Sequence, residues 1–184
     1  LQNGSYRYDV EGPGWAIRGL ELHMGGMHNV ENSLTAIAIA KDLGIDDEKI
    51  RAAIADFKGV KRRFQYIIKS GRLVYVDDYA HHPQELKALI GGAKQLYPQL
   101  PCTVVFQPHL FTRTRDFADG FAESLDMADD VILLPIYPAR ERPIEGVNSE
   151  MIAQRMKTKH RVLDSKEVLL DTLRDFHHGL LITA

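Results

Sequence analysis

An α/β fold with a mostly parallel sheet flanked by helices is predicted for the larger part of this chain by three observations. The apolar runs Val104-Val105-Phe106 and Val131-Ile132-Leu133-Leu134 lack polar alternation, as strands buried on both faces do. Amphipathic stretches of helical period separate such runs, and a strand–helix rhythm implies parallel pairing. Three of the runs end in bursts of polar and ionisable residues, and ligands in open α/β sheets sit at the carboxyl ends of strands.

Strands are expected at about 64–69, 73–78, 102–107, 130–135, 160–163 and 179–183. Helices are expected at about 83–97, 114–127, 149–157 and 166–176. Gly71 marks a hairpin between the first two strands. The opening 25 residues read differently, as short extended pieces broken by glycines, with Tyr6, Tyr8 and Val10 alternating. Two helices follow. Val30, Leu34, Ile37 and Ala38 share one face over about 29–43, closed by Gly44. Asp46 or Asp47 then starts a helix with Ile50, Ile54 and Phe57 on one side. Lys58-Gly59-Val60 breaks the pattern, so a domain boundary is placed at 58–60, dividing the chain into 1–58 and 59–184.

Composition narrows the function. The 184 residues carry a formal charge of −2, which offers no electrostatic reason for nucleic acid or an anionic membrane as partner. No apolar stretch reaches the roughly 18 residues that span a bilayer. The single cysteine, Cys102, rules out an internal disulfide and suits a reducing, cytoplasmic setting; it opens an apolar run and reads as a buried thiol. The segment LQNGSYRYDV has neither the basic nor the apolar region of a signal peptide. It also lacks an initiator Met, and GLLITA ends the chain on an apolar strand, so both ends are expected to be cuts in a longer protein.

Five constellations carry possible chemistry. Asp77–Glu85, DDYAHHPQE, follows the apolar run Leu73–Val76 and meets Pro83, which stops a strand and opens a helix. Asp78 suits ribose hydroxyls, and His81 suits a carboxylate or a proton transfer near neutral pH. Asp78, His81 and His82 are alternatively metal ligands, or the loop is structural. Gly25-Gly26-Met27-His28-Asn29-Val30-Glu31-Asn32 leads two glycines into a helix with Asn29 as expected N-cap. Its glycines allow close approach of another molecule, and His28, Asn29 and Asn32 lie together on the side where amides suit a purine; a glycine turn with an Asn cap is the plainer reading. Lys61-Arg62-Arg63 is either a phosphate grip or a solvated charge run. Phe106–Asp116, FQPHLFTRTRD, brings His109, Arg113 and Arg115 to the sheet edge of His81, where they suit a small carboxylate ligand. The competing reading is a solvated helix start capped by Thr112 or Thr114, with Arg115 paired to Asp119. Tyr137–Pro143, YPARERP, is a third loop on that edge, or plain surface. Neither a G-x-x-x-x-G-K-[ST] loop nor a G-x-G-x-x-G fingerprint occurs.

Taken together, these motifs resemble the Mur ligase family, ATP-dependent amino-acid-adding enzymes of peptidoglycan synthesis. The glycine-His-Asn-x-x-Asn helix start and Asp78-Tyr79-Ala80-His81 are similar to patterns shared across the superfamily. DDYAHHP narrows the likeness to its alanine-adding members and their murein-peptide recycling relative, and FQPHLFTRTRD and IYPARERPIEGV resemble the alanine-adding members specifically. The resemblance implies that residues 1–58 are the tail of a central ATPase domain. Residues 59–184 would be a Rossmann-like C-terminal domain, truncated at its end. It implies that His28, Asn29 and Asn32 face the adenine, that Arg63 reaches ribose or phosphate, and that Asp78 binds the ribose of ATP. It implies that Tyr79, His81, His109 and Arg113 surround L-alanine, with His81 and Arg113 closest to the chemistry. Where the family often has arginine this chain has Leu110, which leaves the carboxylate contact to Arg113 with His81. The implied reaction joins L-alanine to UDP-N-acetylmuramate through an acyl phosphate. ATP and Mg²⁺ would be held mainly upstream, the other ligase domains would act in cis, and this piece alone would be inactive. Two alternatives are a recycling ligase of the family that adds a tripeptide, and a binding module without catalysis.

Overall fold

The structure, a computed structural model, describes residues 5–184; the reading of the opening residues as no signal peptide rests partly on Leu1–Gly4, which lie outside them. Two sheets form. The first is an antiparallel hairpin of β1 (Tyr6–Gly12) and β2 (Trp15–Leu22). Helices α1 (Met27–Asp42) and α2 (Asp47–Asp56) pack against it, so that Val10, Ile17, Leu20, Ile37 and Ile50 make one small core. Asp46 caps α2 by accepting from the Glu48 N–H at 2.9 Å.

The second sheet has six strands in the order β3-β4-β8-β5-β6-β7, comprising β3 (Gln65–Lys69), β4 (Leu73–Asp77), β5 (Cys102–Phe106), β6 (Asp130–Leu133), β7 (His160–Val162) and β8 (Gly179–Thr183). Only the β3–β4 hairpin is antiparallel; every other pair is parallel. The α/β fold expected from the apolar runs is therefore present. Each strand sends alternate residues to opposite faces. Val74, Val76, Val104, Phe106, Val131 and Leu133 meet α3 (Pro83–Leu96), α4 (Phe111–Leu125) and α5 (Glu150–Ala153) on one face. On the other, Val105, Ile132 and Leu181 meet Leu169 and Leu173 of α6 (Glu167–Leu173). Leu86, Leu89, Ile90 and Ala93 follow the helical period on α3 and are all buried. Cys102 is fully buried, and burial pushes its thiol up to about 12, so it is an inert core residue.

Several local expectations are corrected. The N-cap of α1 is Gly26, not Asn29; Asn29 lies in the first turn, where its amide donates to the Gly25 carbonyl at 2.7 Å. On α1 the buried residues are Ser33 and Ile37, while Leu34 is 41% exposed and Ala38 is exposed. Packing against the hairpin selects a face one residue away from the apolar stripe. Helix α4 starts at Phe111 with Leu110 as its cap residue, and neither Thr112 nor Thr114 caps it. The Thr114 hydroxyl donates back to the Leu110 carbonyl at 2.8 Å, and Thr112 bonds Glu141 instead. Arg115 pairs with Asp116, and Asp119 pairs with Arg155.

A buried hydrogen bond extends the β3–β4 pairing by one residue pair and aims a side chain at the first sheet. The Phe64 N–H donates to Asp78 Oδ2 at 2.6 Å, and Asp78 accepts from the Ala80 N–H as well. This holds Phe64 at φ 48°, a left-handed backbone that a bulky residue rarely adopts. The Phe64 ring, 1% exposed, then lies against Gly25 at the end of the first sheet. A Cβ on Gly25 would sit 2.2 Å from Phe64 Cε1 and 2.5 Å from Leu96 Cδ1. Gly25 is thus used for a close approach, and the approaching group is the chain's own Phe64.

Gly25→Ala has no space and is expected to destabilise the protein by about 1–3 kcal/mol in urea unfolding, the cost of overpacking. Gly71→Ala, with nothing within 4 Å of the added Cβ, is expected to stay within about 0.5 kcal/mol of wild type. Burial raises the Asp78 pKa despite the two N–H donors and the nearby His28 and Arg63 side chains. A carboxyl with a raised folded-state pKa contributes stability that is present at low pH and lost as pH rises through that value. Relative to Asp78→Asn, which keeps an acceptor but cannot ionise, the wild type is therefore expected to gain stability from pH 7 to pH 4. Asp78→Ala, which strands both N–H groups, is expected to cost about 1–3 kcal/mol at either pH.

Candidate functional site

The carboxyl ends of β4, β5 and β8 and the loop after β6 converge, because β8 is inserted between β4 and β5. Pairing continues briefly past the strands: the Asp78 N–H donates to the Thr183 carbonyl and the Gln107 N–H to the Ala184 carbonyl. The loop after β4 therefore leaves the sheet from a fixed position. It ends at His82, the N-cap of α3, whose ring accepts from the Gln84 N–H while Glu85 receives the His81 and His82 N–H groups. His82 also packs edge-on against Phe117 at 4.8 Å, a supporting role.

Consecutive residues of this loop face two separate hollows. Asp78, 6% exposed, lines one of about 350 Å³ with His28, Asn32, Arg63, Gln84 and Glu85. An adjoining, more apolar hollow of about 630 Å³ shares His28, Asn32 and Arg63 and adds Asn29, Met24, Ile54 and Phe57. The residues singled out for a nucleotide are thereby brought together: His28, Asn29, Asn32 and Arg63 around one space, with Asp78 in the next. An apolar slot rimmed by amides, beside a buried carboxylate and an arginine, can take a flat heterocycle with a hydroxylated, anionic tail.

Tyr79 and His81 line the other hollow, of about 380 Å³, with His109, Tyr137, Arg62, Gln107 and Lys166. Tyr79 packs edge-on against His81 at 4.9 Å, His81 lies 6.4 Å from His109, and His109 stacks on Tyr137 at 5.6 Å. Arg113 is not part of this lining. It stands behind His109, with a guanidinium nitrogen 3.3 Å from Nδ1.

The hydrogen bonds assign the imidazole protons. A carbonyl only accepts, so the 2.7 Å contact of His81 Nδ1 with the Tyr79 carbonyl puts a proton on Nδ1 and makes Nε2 the acceptor of the neutral ring. A guanidinium only donates, so His109 Nδ1 accepts from Arg113 and its Nε2 carries the proton. Burial, Arg113 and His81 all lower the His109 pKa, which keeps that ring neutral. The pocket thus offers one imidazole acceptor and one imidazole donor on neighbouring rings. That pairing matches an amine and a carboxylate on one small molecule.

Arg62, Gln107, Tyr137 and Lys166 are the lining residues that sequence reasoning did not assign. Arg62 and Tyr137 lay inside motifs already noted as basic and aromatic. Lys166 had no local signal at all. Among the described residues no group of three or more His, Cys, Asp or Glu side chains could hold a metal ion, and Asp78 lines a different hollow from His81.

Residues 62–182 match the family described as Mur ligase, glutamate ligase domain. The chain is 46% identical over 183 residues to a UDP-N-acetylmuramate–L-alanine ligase of Flavobacterium johnsoniae and 43% identical over 184 residues to that of Phocaeicola vulgatus. All of this chain is covered in both, but it spans only 41% and 40% of those proteins. The UDP-N-acetylmuramate–alanine ligase of Thermotoga maritima superimposes with a TM-score of 0.80 at 26% identity, over 99% of this chain and 39% of that one. A murein peptide ligase from Psychrobacter arcticus shares the fold, with a TM-score of 0.61 at 22% identity over 100% of this chain and 39% of its own. With the family match covering most of its length and carrying the whole six-stranded sheet, the chain belongs to the Mur ligase family.

Proposed function

We propose that this chain forms the amino-acid-binding part, and one wall of the nucleotide site, of an ATP-dependent ligase that joins L-alanine to UDP-N-acetylmuramate in peptidoglycan synthesis. The observation that carries the reading is the sidedness of the β4 loop. Asp78 lines one hollow, with His28, Asn32 and Arg63, and Tyr79, its neighbour, lines another, with His81 and His109; in this reading the first takes the nucleotide and the second the amino acid. Successive Cα atoms are about 3.8 Å apart, so two ligands held this way would meet at the loop. The names of the relatives, which are UDP-N-acetylmuramate–L-alanine ligases, support alanine.

In this reading residues 1–58 are the tail of a central ATP-binding domain and residues 59–184 the amino-acid domain. The remaining domains act in cis, and the nucleotide substrates place the enzyme in the cytoplasm. ATP supplies the phosphoryl group that turns the lactyl carboxylate into an acyl phosphate. Mg²⁺ would be held outside this chain, whose described residues offer no cluster for it. His28, Asn29 and Asn32 would seat the base, and Asp78 and Arg63 the ribose and phosphates. In the other hollow, His81 Nε2 would take the proton that the alanine ammonium must lose before its nitrogen attacks. His109 Nε2–H would donate to the alanine carboxylate, with Arg113 holding that ring in its donor tautomer. Held in this way, the amine and the acyl carbon react as one bound assembly, which is where positioning yields rate.

The test is phosphate release from ATP by the full-length protein supplied with UDP-N-acetylmuramate. Release is expected to depend on L-alanine, to be unsupported by the murein tripeptide, and to be undetectable with residues 1–184 alone. Preference for the tripeptide would assign the recycling activity instead. No release with either would leave a binding module.

A further inference from the structure

We infer that Lys166 holds the carboxylate of the incoming amino acid and so sets the affinity for it; the inference rests on the alanine-adding reading above. The amino-acid hollow needs a cation, because a carboxylate leaving water for a half-enclosed pocket must be paired. The neutral His109 ring can donate one hydrogen bond but supplies no charge.

The other positive groups nearby are already engaged. Arg113 is outside the lining and donates to His109 at 3.3 Å. Arg62 lines the hollow, but its Nε is 3.6 Å from Asp77 Oδ2 and its guanidinium lies 4.7 Å over the Tyr79 ring. Its charge is balanced before any ligand arrives. Leu110, half-buried at the start of α4, brings no charge. Lys166 differs from all of these. It lines the same hollow, forms no ion pair among the described residues, and its ammonium lies 6.0 Å over the Tyr137 ring. Tyr137 in turn is stacked on His109, 20° from coplanar. The ring that guides the lysine is therefore the ring that backs the imidazole donor. His109 and Lys166 line the same hollow, so a carboxylate accepting from His109 Nε2–H would share it with the Lys166 ammonium, and the amine of the same molecule is left for His81.

Lys166 is exposed and sits just before α6, so replacing it removes charge from the pocket without opening a core. The experiment is steady-state kinetics on the full-length protein carrying Lys166→Ala, Lys166→Met or Lys166→Arg, with Arg174→Ala at the other end of α6 as control; Arg174 is exposed and pairs with Asp171. Lys166→Ala and Lys166→Met are expected to raise the KM for L-alanine about 10- to 100-fold, the loss of one charge-assisted bond. The KM values for ATP and UDP-N-acetylmuramate are expected to stay within about twofold, the range of a surface change. Lys166→Arg is expected to recover most of the affinity, and Arg174→Ala to behave as wild type. An unchanged alanine KM in Lys166→Ala, equal rises for alanine and ATP, or recovery by the uncharged Lys166→Met would each overturn the assignment. Absence of alanine-dependent phosphate release in the wild type would instead overturn the alanine-adding reading, and the Lys166 assignment with it.

Discussion

The hydrogen bond from the Phe64 N–H to Asp78 is the constraint on which the rest of this structure depends. It is short, buried and charge-assisted, and such bonds are the strong ones. By holding Phe64 in a left-handed conformation it turns the chain sharply between the two sheets and sets the Phe64 ring against Gly25. The same carboxylate follows β4 directly, so the turn at Phe64 and the loop after β4 share one residue.

Strand order does the rest of the positioning. The insertion of β8 between β4 and β5 brings Ala184 between the β4 loop and Gln107. The helix before β8 then delivers Lys166 to the far side of the amino-acid hollow. Residues 81, 109, 137 and 166, drawn from four connections, thus line one space. Each imidazole is given its proton arrangement by a neighbour that can act only one way, a carbonyl for His81 and a guanidinium for His109. The proton arrangement of the pocket's imidazoles is therefore set by their own neighbours in the chain.

Much of this was legible in the sequence, for physical reasons. Strands buried on both faces announce themselves as unbroken apolar runs, and DDYAHHP, placed where such a run stops, marks a strand end whose polar groups line two hollows. His28, Asn32, Arg63 and Asp78 were placed toward one ligand and do line joined hollows. What was not legible depends on tertiary partners. The apolar stripe of α1 named Ile37, which is buried, but also Leu34 and Ala38, which are exposed; the hairpin it packs on buries Ser33 instead. Asn29 has the composition of a cap, yet Gly26 at φ 88° starts the helix one turn earlier. Lys166 is separated from His81 by most of the domain, and only the position of β8 in the sheet brings them together. Sequence periodicity carries no information on strand order.

The sidedness of the β4 loop is tested most directly by comparing Arg63→Ala with Tyr79→Ala in the full-length protein, measuring the KM for ATP and for L-alanine in each. Arg63 and Tyr79 line different hollows on either side of Asp78. The account predicts a crossed pattern: Arg63→Ala raises the KM for ATP and leaves that for alanine near wild type, and Tyr79→Ala does the reverse. If both variants raise the same KM, or if each raises the two equally, the loop does not separate two ligands and the account is wrong.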